Sequence, residues 1–350
     1  MISNLTKVII DPRCRFNYSS YYIIGLMKMV TKDIEFDINP FVYSTQVRKV
    51  YPQGVGIILI DDKNCKKKVY IDFYDSNRVF DEAYLWSDLY AKINISKKED
   101  VNIREKLFSI GPSFSIKLFN YFSLIRLLIL NYYKLRDSFD IPFTELLRDY
   151  LYTNIRRLNF DEYLNKEKAS ENYIFSCSTF WNYENEKKTT NIWRLRFFEE
   201  CKTRNLNFEG GFFLPKGLNK KEYENNYGDI FFTKRISPKQ YNYKTKISPF
   251  VFNTPAMYGC LGWKLAEYLC MGKAIISTPL NNIMPGDFIS GTHYHLIENE
   301  NEIGVAIDYL LNDKEYRNFL EQNARKYFEE YLSPEMVIQR IFNKVYDNKS

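Results

Sequence analysis

The segment from Tyr258 to Leu280 reads YGCLGWKLAEYLCMGKAIISTPL. Its apolar spacing predicts a helix from about Gly262 to Met271, followed by a buried strand, KAIIS, at 273–277. Gly272 stands between the two, where helices commonly end in a left-handed residue. A helix that passes through one glycine into a short β-branched run is typical of a βαβ unit. The segment therefore predicts an α/β fold with parallel strands.

Strand-like runs alternate with helical patterns on both sides of this segment. In the second half of the chain the runs are YIFSCS (173–178), NFEGGFF (207–213), DIFFT (229–233) and SPFVFNT (248–254), with a helix at about 189–202. In the first half they are KVIID (7–11), IEFDI (34–38), GVGIILI (54–60) and KVYIDFY (68–74), with a helix at about 18–30. This alternation predicts two α/β halves with largely parallel sheets.

A polar stretch, NKEKASEN at 165–172, separates the two halves. We therefore predict an N-terminal domain over 1–165 and a C-terminal domain over 166–333, with a further segment at 334–350. The N-terminal domain carries a helical segment at 113–164, broken near Ile141-Pro142. Helical patterns at 302–312, at 314–331 and from Pro334 to Val345 end the chain.

The composition limits the classes of function that this protein can have. The 350 residues are 45% hydrophobic and 17% aromatic, which is enough for two packed cores. Lys and Arg exceed Asp and Glu by 49 − 43 = 6, too small an excess for a dedicated nucleic-acid binder. The six cysteines form no C-x-x-C pair, so we expect no zinc site and a reduced protein. No signal peptide is visible at the start, so we expect cytoplasmic residence.

Several common enzyme motifs do not occur. Gly54-x-Gly56 lacks the third glycine and the helix of a dinucleotide fingerprint, which disfavours a nicotinamide dehydrogenase. Neither a P-loop nor a G-x-S-x-G elbow is present in the sequence. The only histidines, His293 and His295, would share one side of a strand. Because no carboxylate or thiolate accompanies them nearby, a structural role is favoured over a metal site.

The loop before the 262–271 helix has the features of an anion site. Backbone N–H groups at Gly259 and Gly262 can approach a diphosphate, aided by the positive end of the helix dipole. Lys264 adds a positive charge in the first turn. Glu267, in an otherwise apolar helix, can accept hydrogen bonds from the two vicinal hydroxyls of a ribose. The alternative is a surface glutamate without a ligand.

The pattern Gly-x-x-x-x-Glu-x-x-x-x-Gly-Lys-Ala-Ile-Ile, Gly262 to Ile276, resembles the donor-binding segment of GT-B glycosyltransferases, especially the group 1 and exostosin-like branches. The segment at 301–335 is similar to the closing helices of that family, where Asn-Ala-Arg precedes a helix that crosses back to the N-terminal domain. The likeness covers about 249–335. Before that it is one of topology alone.

The resemblance implies two Rossmann-like α/β domains facing a central cleft, with 334–350 returning to the first domain. It implies transfer of a hexosyl group from a UDP- or GDP-linked sugar, with no further cofactor, to a saccharide or lipid-linked saccharide in bacterial surface polysaccharide or lipopolysaccharide assembly. The donor-binding residues expected from the resemblance and from cationic or hydroxyl side chains near strand ends are Glu267, Gly259, Cys260, Gly262, Lys264, Tyr258, Lys234, Arg235, Lys246 and Ser178. Lys244, Ser176 and Thr179 are weaker candidates.

One departure from the family pattern concerns the sugar site. Many retaining members carry an additional glutamate at the position of Gly259, which has no side chain, so retention and inversion both remain open. The alternative function is a non-catalytic GT-B-like module that binds a saccharide or a partner.

An inverting reaction would need a general base from the first half. Asp11 and Asp75 follow predicted strands there, although aspartates at such positions also cap helices. Arg13 and Arg15 lie in the same first loop as Asp11 and are candidates for contact with phosphate on the donor or on a lipid-diphosphate acceptor.

The region from Lys106 to Arg136 contains five basic residues and no acidic one. On a helical wheel its apolar side comprises Leu118, Phe122, Ile125, Leu128, Ile129 and Tyr132, and its polar side includes Arg126 and Asn131. Burial of the apolar side in a core is the simpler interpretation. The alternative is that this apolar side contacts the anionic inner face of the cytoplasmic membrane.

Overall fold

A computed structural model of the chain describes residues 5–30, 33–41, 53–98, 104–136, 142–183, 189–215, 217–219, 221 and 230–347. The chain forms two compact units. The first comprises 1–160, 282–286 and 329–350, and the second comprises 161–281 and 287–328. The sequence analysis placed the corresponding domain boundaries at 165/166 and 333/334. The assignment of residues 282–286 to the first unit was not predicted.

The first unit contains a six-stranded sheet in the order β2-β1-β3-β4-β5-β6. The strands are β1 (Leu5–Ile10), β2 (Asp33–Phe36), β3 (Gly54–Asp61), β4 (Lys66–Asp72), β5 (Leu89–Lys92) and β6 (Leu107–Ser109). Strand β3 runs antiparallel to both of its neighbours, and the other pairs are parallel. The strands β1, β4, β5 and β6 therefore end at the same edge of the sheet.

The antiparallel β3 corrects the expectation of a largely parallel sheet. A tight turn joins β3 to β4, and a turn that short leaves no room for the crossover that parallel neighbours need. The Asp61 carboxylate stabilises this turn by accepting hydrogen bonds from the N–H groups of Lys63 (3.0 Å) and Cys65 (2.7 Å). Asn64 takes the left-handed conformation, with φ 58°.

The helices of the first unit are α1 (Phe16–Met29), α2 (Asp81–Trp86), α3 (Tyr121–Leu135), α4 (Phe143–Ile155) and α11 (Pro334–Asp347), and α5 (Phe160–Leu164) leads into the second unit. The expected helix over 113–164 starts later, because 113–119 is neither helix nor strand and includes the buried Phe114 and Ile116. Pro142 caps the start of α4, as predicted, and Ile141 lies outside the described residues.

The second unit contains two three-stranded parallel sheets. One consists of β7 (Tyr173–Thr179), β8 (Asn207–Phe213) and β9 (Phe231–Phe232), and the other of β10 (Phe250–Asn253), β11 (Ala274–Ser277) and β12 (His295–Leu296). The Phe175 N–H donates to the Ser248 hydroxyl at 2.9 Å, which ties β7 to the chain entering β10. The predicted strand at 229–233 is shorter here, and Asp229 lies outside the described residues.

The helices of the second unit are α6 (Thr190–Thr203), α7 (Pro238–Ile247), α8 (Trp263–Met271), α9 (Glu302–Asn312) and α10 (Lys314–Tyr327), and a π-helical turn follows at Phe328–Leu332. The sequence analysis missed α7, although Ser237 before Pro238 is a strong start signal: its hydroxyl accepts from the Gln240 N–H at 3.3 Å. The core includes the fully buried Phe197, Phe198 and Phe212. The predicted α/β class is confirmed.

The helix-glycine-strand segment forms as the sequence predicts. Gly272 ends α8 with φ 63° and ψ 52°, and all four residues of β11 are buried. The Arg325 guanidinium donates to the Cys270 carbonyl oxygen at 2.7 Å and so satisfies a carbonyl group at the end of the helix. These contacts fix the position of α8 against the sheet.

Gly25 allows α1 to approach the C-terminal helix closely. A Cβ atom at this position would lie 2.1 Å from the Pro334 carbonyl oxygen, which is backbone and has little freedom to yield. The Tyr21 hydroxyl donates to the neighbouring Leu332 carbonyl oxygen at 2.5 Å.

We expect Gly25→Ala to destabilise the protein by roughly 1–3 kcal/mol, because the added methyl group forces α1 and α11 apart. The measurement is the urea midpoint, followed by circular dichroism. Met27→Ala, at an exposed position on the same helix, is the control and should change stability by no more than about 0.5 kcal/mol. Equal midpoints for the two variants would contradict the close approach.

Candidate functional site

The carboxyl ends of β7, β10 and β11 carry most of the polar side chains that sequence analysis selected. Helix α8 starts near this edge, with Gly262 as its N-cap residue. A 3-10 turn, Met257–Gly259, precedes it, and Tyr258 and Gly259 both take left-handed φ values of 57° and 73°. Gly262 has an ordinary extended conformation, so no side chain is excluded there on backbone grounds.

Lys264 reaches from α8 to the end of β7. Its ammonium group donates to the Cys177 carbonyl oxygen and, at 2.7 Å, to the Ser178 hydroxyl. Burial lowers the pKa of Lys264 to about 8, and repulsion by Arg194 adds to the effect, while Cys177 and Glu267 oppose it. Lys264 is therefore still mostly protonated at neutral pH, in surroundings that disfavour its charge.

Arg194 is a second buried cation at the same edge. It lies on α6 with 8% of its surface exposed, and its guanidinium donates to the Thr254 hydroxyl (2.9 Å) and the Thr179 carbonyl oxygen (3.1 Å). It thus connects the ends of β10 and β7. Burial lowers its pKa to about 10. Sequence analysis missed this residue, because Arg194 and Arg196 among the aromatic residues of this helix match no motif.

Neither cation is neutralised within the part of the chain that the structure describes: no carboxylate there forms an ion pair with Lys264 or Arg194. Burying a charge without a counter-charge is costly. An anion placed between the two would remove the repulsion and restore both pKa values. The arrangement is therefore suited to a phosphate or diphosphate group.

Two further polar atoms at this edge are buried and have no hydrogen-bond partner among the described residues. They are the Trp181 indole nitrogen, which follows β7, and the Thr278 hydroxyl, which follows β11. Both are hydrogen-bond donors, and buried donors are normally satisfied. Their position after the carboxyl ends of two parallel-sheet strands fits an acceptor-rich ligand.

Glu267 lies one turn beyond Lys264 and is partly buried. Its negative charge raises the pKa values of the buried Tyr241 and Tyr268 phenols, although burial is the larger cause for both. It also opposes the lowered pKa of Lys264. The carboxylate is therefore near the two cations, and its expected role in ribose binding stays a prediction.

The remaining donor-side candidates separate into two groups. Lys234 and Arg235 are exposed. Because they follow β9, which is parallel to β8 and β7, they lie at the same edge as Lys264. Lys246 precedes β10, and its ammonium group donates to the Glu162 carbonyl oxygen. It lines a cavity of about 230 Å³ at the amino end of β10, which corrects its assignment to the donor site. Lys244 is paired with Glu209.

Asp11 and Arg13 bind each other in the first unit. The guanidinium donates to both carboxylate oxygens, at 2.9 and 2.7 Å, and also to the Phe41 carbonyl oxygen at 2.8 Å. Both residues are buried. The two side chains are therefore held by each other, and their expected roles as general base and acceptor contact stay predictions. Arg15 is partly exposed, with a guanidinium nitrogen 3.9 Å from Glu145.

Asp75 lies beyond the end of β4, and the pKa of its carboxylate is raised. Desolvation is the main cause, attraction to Lys92 opposes it, and repulsion by Asp72 adds to it. Asp72 and Lys92 form a fully buried ion pair at 2.7 Å, and the Tyr90 hydroxyl donates to Asp72 at 2.6 Å. A carboxylate with a raised pKa at a carboxyl edge is suited to accept a proton.

The two histidines do not share a strand face. His293 accepts from the Ile289 N–H at 2.9 Å, and His295, in β12, lies 3.2 Å from the Tyr316 hydroxyl. No group of three metal-ligating side chains occurs among the described residues.

Among the described residues, no helix has both the length and the hydropathy to cross a bilayer.

Comparison with known proteins returns solved structures only. No protein-family profile and no curated protein matches the sequence. A glycosyltransferase from Rickettsia africae ESF-5 is 11% identical with a TM-score of 0.43, and the match covers 75% of this chain and 64% of that one. HepE of Anabaena, in complex with UDP and glucose, is 12% identical with a TM-score of 0.44 and coverages of 76% and 65%.

The C-terminal domain of a group 1 family glycosyl transferase, LpcC from Francisella tularensis, is 13% identical with a TM-score of 0.32 and coverages of 50% and 91%. This chain spans less than two thirds of the length of the Rickettsia and Anabaena proteins. These structures are glycosyltransferases, as the sequence resemblance anticipates. Identities this low concern the fold alone.

We expect inorganic pyrophosphate to bind less tightly as the pH rises from 7 to 9, by up to about tenfold, because Lys264 loses its proton near pH 8. Isothermal titration calorimetry measures this dependence. In Lys264→Met, binding should be weaker and should change less with pH. A variant with unchanged affinity would show that the anion binds elsewhere.

Proposed function

We propose that this protein is a glycosyltransferase that moves a hexosyl group from a UDP- or GDP-linked sugar to a saccharide or lipid-linked saccharide, in the assembly of a bacterial surface polysaccharide or lipopolysaccharide. The observation that carries the proposal is the pair of Arg194, which is buried, and Lys264, which is partly buried, at the carboxyl edge of β7 and β10, with no carboxylate of the described residues ion-paired to either. The donor-segment resemblance at 262–276 supports it independently.

The cation pair suits a departing nucleoside diphosphate. In the proposed reaction an acceptor hydroxyl oxygen forms a bond to the anomeric carbon, and the bond from that carbon to the diphosphate oxygen breaks. Negative charge then develops on the diphosphate. Arg194 and Lys264 are already oriented by Thr254 and Ser178, so they stabilise this charge with little reorganisation. In this proposal they supply the charge that a metal ion supplies in other transferases.

Glu267 is proposed to bind the ribose. A carboxylate accepts two hydrogen bonds at once, and the vicinal hydroxyls of a ribose present two donors. Its place on α8, one turn after Lys264, puts the carboxylate next to the cation that would hold the diphosphate. Tyr258, which is 62% exposed on the preceding turn, is available for contact with the base or the sugar.

Asp75 is the proposed general base of an inverting reaction. Its raised pKa favours proton transfer to this carboxylate. The proton of the acceptor hydroxyl would move to this carboxylate as the new glycosidic bond forms. A retaining reaction would not need this base, so the role of Asp75 also distinguishes the two stereochemical outcomes.

A cytoplasmic location is part of the proposal. All six cysteines are free thiols. Thiols are kept reduced in the cytosol, where nucleotide sugars are also made available to transferases.

A non-catalytic saccharide-binding module is the second candidate. It is favoured by Gly259, which stands where many retaining relatives carry a glutamate, and by the left-handed φ of 73° at this position, which a glutamate would adopt only with strain. Such a module would bind sugar but would neither require nor respond to a nucleoside diphosphate.

We expect Glu267→Ala to weaken the binding of UDP or GDP about tenfold to a hundredfold, because two hydrogen bonds to ribose are lost. Thermal shifts with a panel of nucleoside diphosphates identify the base, and calorimetry then gives the affinity. The same variant should bind inorganic pyrophosphate as tightly as the native protein does. Glu315→Ala, which removes an exposed carboxylate on α10, is the control.

Equal loss of nucleotide and pyrophosphate affinity in Glu267→Ala would contradict ribose binding, since it would indicate a disturbed diphosphate site. Indifference of the native protein to every nucleotide would favour the binding module.

We expect Asp75→Asn to lower the transfer rate by at least about a hundredfold if the reaction inverts. The rate of the native protein should fall as the pH drops through the raised pKa of Asp75, because protonation removes the base. Steady-state rates between pH 4 and 8 measure this profile, and donor affinity should be unchanged in the variant. A rate that is independent of pH in this range and insensitive to the substitution would remove Asp75 from the mechanism.

A further inference from the structure

Helix α3 has apolar side chains on two opposite faces. Leu124, Leu128 and Leu135 are buried against the first unit. The opposite side, which we name the α3 apolar face, is exposed and consists of Phe122, Ile125, Ile129, Leu130 and Tyr133. Phe122 has 80% of its surface exposed and Tyr133 61%, and the other three lie between 46% and 50%.

The sequence analysis favoured burial of the side that contains Phe122, Ile125 and Ile129, and the structure shows that this interpretation is wrong. The helix is rotated so that Asn131, expected on the polar side, is buried. Its side-chain amide donates to the Tyr150 hydroxyl at 2.8 Å, which locks α3 onto α4. The rotation leaves Phe122, Ile125 and Ile129 in solvent, while Leu128 of the same predicted side is buried.

An exposed face of this kind needs a covering surface. Single apolar residues on a protein surface are ordinary, but a helix with a contiguous second apolar stripe is normally covered on that side too. On α4, Ile155 (59%) and Phe143 (41%) are also exposed, and the Phe143 ring lies 4.9 Å from that of Tyr132 on α3. The exposed apolar surface therefore continues from α3 onto α4.

Cations accompany the exposed aromatic rings. The Lys117 ammonium group lies 5.5 Å from the Tyr121 ring centre, and the Arg136 guanidinium lies 5.4 Å from that of Tyr133. On α4, Arg156 is 4.3 Å from the ring centre of Tyr152. Arg126 is exposed within the α3 apolar face itself. This combination of apolar side chains, tyrosines and cations matches the chemistry of an anionic membrane surface.

Helices α3 and α4 carry two acidic residues, both of them on α4. The sequence from 106 to 136 contains none. On α4, the Asp149 carboxylate is turned inward and accepts from the Phe16 N–H at 2.7 Å. Glu145 lies 3.8 Å from Arg148, which balances it.

We propose that the α3 apolar face docks on the interfacial region of an anionic lipid bilayer, with Phe122, Ile125 and Ile129 entering the headgroup boundary and Arg126 and Arg136 contacting lipid phosphates. A second copy of the chain is a poorer occupant, because a two-fold contact would bring Arg126 and its partner's equivalent together. The inference does not depend on sugar transfer, since binding to lipid is measured without any substrate.

The test is co-sedimentation of the full chain with phosphatidylcholine–phosphatidylserine vesicles and with pure phosphatidylcholine vesicles. We expect binding to the anionic vesicles that weakens as salt is raised. The double variant Phe122→Ser, Ile129→Ser should lose at least about tenfold in vesicle affinity. Arg126→Glu should lose affinity for anionic vesicles and become less sensitive to salt.

Leu85→Ser is the matched control, because Leu85 is an apolar residue of the first unit with 76% exposure, outside the α3 apolar face. It should bind vesicles as the native protein does, and circular dichroism should show that all variants are folded. The proposal is overturned if the native protein does not sediment with anionic vesicles or if the control loses as much affinity as the double variant. It is also overturned if the double variant dissociates a dimer while vesicle binding is unchanged.

Discussion

Two positive charges held at the carboxyl edge of β7 and β10, with no carboxylate ion-paired to either among the described residues, are the constraint on which this account depends. Arg194 and Lys264 are both removed from water, and each is held by neutral hydroxyl or carbonyl groups rather than by a carboxylate. Burial lowers both pKa values, and the two charges repel. Burying the two charges raises the free energy of the unliganded protein. Binding of an anion between them removes this penalty and so stabilises the folded state.

The fold of the second unit creates this edge. Parallel strands end side by side, so that Thr179 after β7 and Thr254 after β10 both meet the guanidinium of Arg194. The αL residue Gly272 and the buried β11 hold α8 in place, and α8 in turn projects Lys264 across to β7. In the first unit the same rule of parallel strand ends brings Asp75 next to the buried Asp72–Lys92 pair.

The sequence was most informative where local signals decide the structure. The helix, glycine and strand around Gly272 were predictable, because helix period, a left-handed cap and a β-branched run agree there. The antiparallel β3 was not, since the four turn residues between β3 and β4 were not recognised as a hairpin. Arg194 could not be found because its importance comes from tertiary contacts with two strand ends. Asp11 and Arg13 were selected for their charge, and only coordinates show that each neutralises the other.

The central claim is that Lys264 binds a diphosphate and does not stabilise the unliganded fold. The free energy of unfolding of Lys264→Met, measured with and without UDP, tests this claim directly. At pH 7 the account predicts that the unliganded variant is at least as stable as the native protein, because a charge disfavoured by burial is gone, and that UDP stabilises it far less than it stabilises the native protein. A variant that is strongly destabilised without ligand, yet gains the full native stabilisation from UDP, would contradict the claim.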